Sequence, residues 1–351
     1  MRRAALVALM ALGLLASGCG GSSAPKSQRE LATQDAQHFF DRFVDPNGRV
    51  VRRDQGGDTV SEGQAYAMLL AVALDDRQKF MRVWNWTQHN IQRDDGLLSW
   101  HWQNGQVDDD QPSADADFDT ARALALASYR FKRPQLATES HRIASAALAI
   151  ETIKTAAGPV VAAGPWSVPQ GLTNFSYTDP RALSLLARLG NAGNWQRVAR
   201  ASTQTVANTA GALPPDWATV TQDGTVTPSP SPAAHAPPEY SFDAARVPIR
   251  FAASCSGSER ALAARLWPQL RAAPALLPRK LDGKPASSAK QTSVGLAGAA
   301  AAAAAAGKRH DATKLLGEAS AKEREKPTYF GSALVAITRA TVVTPMLGRC
   351  A

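Results

Sequence analysis

Apolar residues recur along most of this chain at spacings of three and four, the period of an amphipathic helix. In DRQKFMRVWNWTQHNI the apolar positions Phe80, Val83, Trp84 and Ile91 fall on one helical face. In TESHRIASAALAIETIK the residues Ile143, Ala147, Ile150 and Ile153 do the same. The pattern predicts helices over residues 28–44, 62–74, 76–91, 117–131, 135–154 and 178–189 in the first half. It predicts 192–209, 241–254, 257–272, 291–306, 309–322 and 329–340 in the second. The run GAAAAAAAAG at 298–307 has strong helix propensity and reads as an apolar helix packed closely against its neighbours. No long stretch alternates with period two, so strands should be few. Twelve helices make six helix–loop–helix pairs, and the expected fold class is all-α.

The two ends of the chain and one internal stretch break the pattern. MRRAALVALMALGLLASGC carries two arginines, an apolar run from Ala4 to Leu15, then small residues and Cys19. That is the layout of a secretory signal, with an apolar run too short for a membrane span. The ending ASGC resembles a bacterial lipobox with Cys19 as the lipid attachment residue; plain secretion with cleavage nearby is the alternative. Residues 20–28 then form a flexible polar tether, and 29–351 a single domain. The expected location is the extracellular face of the cell membrane, lipid-anchored or secreted. Export permits disulfides. With Cys19 lipidated, Cys255 and Cys350 remain, either bridged, which pins the C-terminus to the helix beginning near Asp243, or as two free thiols. DGTVTPSPSPAAHAPPEY (223–240) reads as a long loop and not a linker, because helices continue unchanged beyond it.

Charge and composition remove several function classes. The 351 residues are 44 % apolar, enough for a large core, and the net charge is +9. The cations are scattered, as in RDDG and KEREK, with no basic block interleaved with aromatics, so no nucleic-acid role is expected. The six histidines (38, 89, 101, 141, 235 and 310) form no HxxxH or HExxH pattern and the cysteines no CxxC, so no metal is expected. No nucleotide loop or other cofactor signature is present.

The polar signals fall at helix starts. In VSEGQAYAML, Glu62 opens the second predicted helix. Asp115 and Asp117 stand at the fourth, Asn174, Tyr177 and Asp179 precede the sixth, and Asp243 opens the eighth. In a chain of antiparallel hairpins, alternate helices are parallel and their N-termini share one face. The carboxylates at 62, 115 and 243 then converge on one end of a helical barrel. Taken singly, each is an ordinary cap or first-turn acid. Their clustering beside Trp100, Trp102 and Trp217 in predicted loops points to a site. Flat aromatics suit the apolar C–H faces of sugar rings; a satellite core under the loops is the alternative.

Five segments in order resemble glycoside hydrolase family 8, the inverting endo-β-1,4-glucanases, and most nearly the group attached to bacterial cellulose synthesis. They are VSEGQAYAML, SADADFDTARALALA, NFSYTDP, PPDW and YSFDAARVPIR, and the resemblance spans roughly residues 35–340. It implies an (α/α)6 barrel of six helical hairpins. It implies Glu62 as general acid and Asp243 as general base, on a cellulose-like β-1,4-linked polysaccharide. Asp115, Trp102, Tyr177 and Arg246 would bind that substrate, without a cofactor, and the cellulose-synthesis machinery is a candidate partner. Asp115 would also supply an anion that keeps Glu62 protonated, Arg246 would bind sugar hydroxyls or hold a carboxylate ionised, and Asp117 would cap its helix. Thr120, Phe175 and Ile249 depart from the family pattern, and no carboxylate is lost. Xylan and chitosan are alternative substrates within the fold; the acidic VDDDQPSADAD (107–117) would suit the ammonium groups of chitosan. A non-catalytic polysaccharide-binding lipoprotein is the alternative outside enzymes.

Overall fold

The computed structural model describes residues 26–209, 211–232, 237–348 and 350. The signal-like segment with Cys19 and most of the tether lie outside the described residues. Among the described residues there are thirteen α-helices: α1 (Gln28–Phe43), α2 (Ser61–Ala73), α3 (Arg77–Asn90), α4 (Ala114–Arg130), α5 (Pro134–Ile150), α6 (Pro180–Leu189), α7 (Ala192–Ala207), α8 (Arg246–Ala252), α9 (Gly257–Ala264), α10 (Trp267–Leu270), α11 (Ser293–Ala305), α12 (Arg309–Glu325) and α13 (Tyr329–Thr338).

Three of them, α2, α11 and α13, are small or apolar almost all round and are buried almost all round. Such helices belong inside a larger helical assembly. They do so by closing a ring. α2 packs on α4, α4 on α6, α6 on α8, α8 on α11, α11 on α13, and α13 returns to α2. Around this ring lie α3, α5, α7, α9, α12 and α1, each packed on the inner helix or the pair of inner helices beside it. The fold is the all-α (α/α)6 barrel of six hairpins. The hydrophobic core runs continuously through it, from Phe39 and Tyr66 to Leu334 and Met346.

The structure differs from the sequence-based expectation at several element ends. The predicted helix 257–272 breaks into α9 and α10, because Pro268 has no N–H to continue the ladder. The predicted helix 135–154 stops at Ile150, and its last residues enter a strand. The predicted helix 241–254 begins only at Arg246. Asp216 Oδ1 accepts the N–H groups of Ser241 and Ala244 at 2.8 and 2.7 Å and holds residues 241–245 in a turn.

Short strands are more numerous than expected: β1 (Thr59–Val60), β2 (Ser99–Gln103), β3 (Gln106–Pro112), β4 (Thr152–Thr155), β5 (Gly158–Val161), β6 (Leu172–Asn174), β7 (Trp217–Val220), β8 (Val226–Ser229), β9 (Leu276–Arg279) and β10 (Pro285–Gln291). They form four small antiparallel sheets, ordered β1-β2-β3, β4-β5, β6-β7-β8 and β9-β10. Strand β1 runs straight into α2, and β3 reaches Pro112, just before α4. The sheets therefore decorate the end of the barrel where inner helices start. The tryptophan segments expected to be loops are hairpin strands, and the stretch 223–240 contains β8. A disulfide joins Cys255, after α8, to Cys350.

Candidate active site

Two acids from the inner helices α2 and α4 and a third from the turn before α8 meet one guanidinium. Arg246, in the first turn of α8, donates from Nη1 to Asp115 Oδ2 at 2.6 Å and from Nη2 to Asp243 Oδ1 at 2.6 Å. Glu62 Oε2, from the first turn of α2, lies 3.6 Å from Nη1. Nη1 also donates to Tyr66 Oη at 3.0 Å. The arginine and Asp115 form a closed floor, each with 2 % of its side chain exposed. Glu62 and Asp243 stand above it with 23 % and 29 % exposed. The two exposed carboxyls thus sit on opposite arms of one planar fork. The contact lengths cap their separation at roughly the upper part of the ~6.5–9.5 Å range that leaves room for a water between two catalytic carboxyls.

Glycine lets this floor assemble. A Cβ on Gly63, beside Glu62, would lie 2.8 Å from Tyr329 Oη, and Tyr329 donates that hydroxyl to Glu62 Oε1 at 3.2 Å. A Cβ on Gly298 in α11 would lie 2.6 Å from the carbonyl oxygen of Ala245. The Asp243–Arg246 turn therefore rests directly on a helix with no side chain at that point.

Charge around Glu62 is unbalanced. Burial pushes its carboxyl up to about 7; Arg246 opposes, and the anions of Asp115 and Asp243 add to the rise. A helix N-terminus favours the carboxylate, so burial and the neighbouring acids outweigh the dipole here. Asp115 has both oxygens occupied, Oδ2 by Arg246 and Oδ1 by Ser113 Oγ at 2.8 Å and the Ala116 N–H at 2.9 Å. One turn along both helices, a second cluster repeats the motif. Arg250 donates to Asp119 and to Asp179, and Arg122 donates to Asp179 at 2.8 Å.

Aromatic side chains flank the acids on two sides. Tyr177 stands 5.3 Å from the Arg246 guanidinium, ring centroid to Cζ, and leads to Trp217 at 6.2 Å and on to Trp166 at 6.3 Å. On the other side Phe330 lies 5.6 Å from the same Cζ and leads to Phe242 at 6.5 Å. Trp166 and Phe242 are exposed. The result is an open polar centre between two aromatic rows, a shape suited to a linear sugar chain.

The family model described as "Glycosyl hydrolases family 8" matches residues 5–341. The chain belongs to that family. It is 34 % identical over 227 residues to a protein of Novacetimonas hansenii named "Probable endoglucanase", covering 61 % of this chain and 64 % of the relative. It is 30 % identical over 231 residues to an endoglucanase of Cellulomonas uda, covering 61 % of each. The match therefore spans less than two thirds of the length of these curated relatives. The solved structure of an endo-beta-1,4-glucanase from Acetobacter xylinum superimposes with a TM-score of 0.76 at 25 % identity, covering 90 % of this chain and 98 % of that one.

Within this family 8 chain, the structure brings together Glu62, Asp243, Asp115, Arg246 and Tyr177. It places Asp243 in the turn before α8, three residues short of the helix it was expected to open. Arg246 is buried behind the acids, in the position that holds carboxylates. Trp102 stands in β2, paired with Thr59 of the strand that leads into α2; Arg49 covers its ring at 4.3 Å and Trp86 packs edge-on at 5.4 Å. Asp117 does not cap α4. It is buried and accepts the Leu98 N–H at 2.9 Å. Sequence reasoning missed Tyr329, Phe330, Phe242 and Trp166. The first three belong to apolar runs that read as core, and Trp166 lies in PWSVPQ, a proline-bounded 3-10 turn without periodicity.

Proposed function

We propose that this chain is an endo-β-1,4-glucanase that cleaves internal bonds of a cellulose-like polymer with inversion at the anomeric carbon. The single observation that carries the reading is the arrangement of Glu62 and Asp243 on opposite arms of Arg246, with Glu62 pushed up to about 7. Inverting hydrolysis needs one protonated and one ionised carboxyl with space between them. Glu62 gives its proton to the leaving glycosidic oxygen. Asp243, its charge set against Arg246, takes a proton from a water that attacks the anomeric carbon from the opposite face. Asp115 raises the proton affinity of Glu62 through its charge, on the far side of the same guanidinium. The aromatic rows bind successive sugar rings on either side of the cleavage point, and Tyr177 borders the water position.

The acidic stretch that would suit chitosan is partly engaged within the protein, while the Asp108 and Asp110 side chains stay 57 % and 72 % exposed. Asp108 pairs with His101 at 2.8 Å, Asp110 lies 3.8 Å from Arg93, and Asp109 accepts the Gln111 N–H. Export fits the signal-like N-terminus and the Cys255–Cys350 bridge, which suits an oxidising compartment. A lipid on Cys19 would hold the barrel at the membrane surface.

The test is the purified protein on carboxymethyl-cellulose, with viscosity and reducing ends followed together and the anomer of the first product read by NMR. Rapid viscosity loss, an α-anomer product and loss of both in Glu62→Gln are expected. Slow viscosity loss with steady release of reducing ends would overturn endo-cleavage, and a β-anomer would overturn inversion.

A further inference from the structure

Two buried carboxyl groups below the site have no part in that mechanism. Asp117 lies two residues beyond Asp115 in the first turn of α4. Glu151 is the residue that follows α5. Both are fully closed to solvent. The Ala162 N–H donates to the Glu151 carbonyl and the Ala114 N–H to the Ala163 carbonyl, each at 3.0 Å, which sets Glu151 beside the first turn of α4, where the Asp117 charge bears on it. Asp117 Oδ1 accepts the Leu98 N–H at 2.9 Å. Asp117 Oδ2 and both oxygens of Glu151 meet no donor among the described residues. The charged groups that bear on the pair from α4 and from the turn before β2 are Asp115 and Asp95, again acids, and Asp95 is itself taken by Arg93 at 3.0 Å.

Two buried carboxylates set side by side cannot both stay ionised without a cation between them. A buried polar oxygen without a donor is costly as well. One proton resolves both difficulties. Glu151 carries it as an O–H and donates it to Asp117 Oδ2. Burial first, and then the neighbouring Asp117, push Glu151 well above the usual carboxyl range.

We propose that Asp117 and Glu151 share one retained proton, and that this pair is a positioning element that fixes the first turn of α4, and with it Asp115, against the start of β2. Asp117 reaches both ways at once. It grips Leu98 at the entry to β2 and rides on the same helical turn as Asp115. Loss of the proton would set two buried charges against each other beside the Asp115 charge and loosen the Asp115–Arg246 contact. The functional half of the proposal rests on the hydrolase reading; the shared proton does not.

The test uses the full chain and two variants that replace one acid by its amide. In Glu151→Gln the amide NH2 donates to Asp117 permanently. In Asp117→Asn the side-chain oxygen still accepts Leu98 N–H while the amide donates to Glu151. Infrared spectra in the carboxyl C=O region at about pH 8, above the range in which Glu62 holds its proton, should show a protonated-acid component that either variant removes. Melting curves give a second readout. A carboxyl that binds its proton more tightly folded than unfolded contributes stability that is full below its unfolded value and is lost as pH rises through its folded value. The wild type should therefore lose more melting temperature between about pH 5 and pH 8 than Glu151→Gln does.

Turnover gives the third readout. Beyond the break set by Glu62, the wild type should show a second break after which activity falls about 100-fold per pH unit, while Glu151→Gln falls about tenfold throughout. Identical infrared spectra and identical melting-versus-pH curves in wild type and both variants would overturn the shared proton. Loss of the infrared component without loss of the second break would overturn the positioning role. A wild type without turnover on any glucan would sink the hydrolase reading alone, and the spectra and melting curves would still decide the pair. If Glu151→Gln does not fold, Asp117→Asn carries the same comparison.

Discussion

Helices α4 and α8 touch through two ion clusters one turn apart, and the two differ in their arithmetic. The deeper one sets two guanidinium groups, Arg122 and Arg250, against two carboxylates, Asp119 and Asp179. Charges match, all four side chains are almost closed to solvent, and Asp179 also accepts two backbone N–H groups at the start of α6. The outer one sets a single guanidinium, Arg246, against three acids, two of them partly exposed. A matched cluster can stay fully ionised and serve as a bolt between helices. A mismatched one lowers its excess by retaining a proton, and Glu62, pushed up to about 7, is the acid poised to hold it. The same pair of residue types, Asp on α4 and Arg on α8, thus serves as scaffold at one level and as chemistry at the next.

The largest effect should come from breaking the outer cluster at its proton. Glu62→Gln should lower kcat on carboxymethyl-cellulose by about 10³-fold, within the range that general acids contribute, while the protein stays folded. Breaking the inner cluster should do the reverse. Arg250→Met leaves Asp119 buried without its cation and should cost about 3–5 kcal/mol of stability in urea unfolding. The pH dependence of the remaining activity should keep its shape. Asp115→Asn sharpens the contrast further: it removes an anion that raises Glu62, so the alkaline break of the rate profile should move from about 7 to lower pH.

A linked effect follows on stability. The Glu62 proton is held up to about 7 against an ordinary value of 4.5. Its stabilising contribution is therefore complete below about 4.5 and disappears as pH rises through about 7. Melting curves of Glu62→Gln should lose that slope. The smallest effect should be Tyr329→Phe, which removes one hydrogen bond to Glu62. A loss of up to about tenfold in kcat is expected, in keeping with a net hydrogen bond of about 0.5–1.5 kcal/mol.

Much of the barrel was legible because the hairpins repeat one signal: an acid or hydroxyl residue, then an apolar helix. Ser61-Glu62 at the start of α2 and Ser113 to Asp117 at α4 both show it, and the counting of alternate helices placed the acids on one face. What escaped was held by single tertiary contacts. The turn carrying Asp243 exists because Asp216, 27 positions earlier in the numbering, captures two of its amides. The strands β2 and β3 are too short and too polar for a period-two pattern, though the Trp100–Trp102 spacing was a trace of it. Arg246 reads as a solvated or sugar-binding cation in one dimension; only the convergence of α2, α4 and α8 makes it the hub. Asp117 looked like a cap because caps are what acids at helix starts usually are, and nothing in the sequence around Glu151 announces its partner.

The bare spots at Gly63 and Gly298 carry a warning for anyone improving this protein. Replacing helical glycine by alanine is a routine thermostability step, worth up to about 1 kcal/mol from propensity. In α11 the change looks harmless, since Gly298 is followed by eight alanines. Here the added methyl would press on the Ala245 carbonyl and lift the turn that bears Asp243. A library filtered on melting temperature alone would discard the two least chemical residues beneath the Arg246 cluster and return folded barrels in which its acids no longer meet.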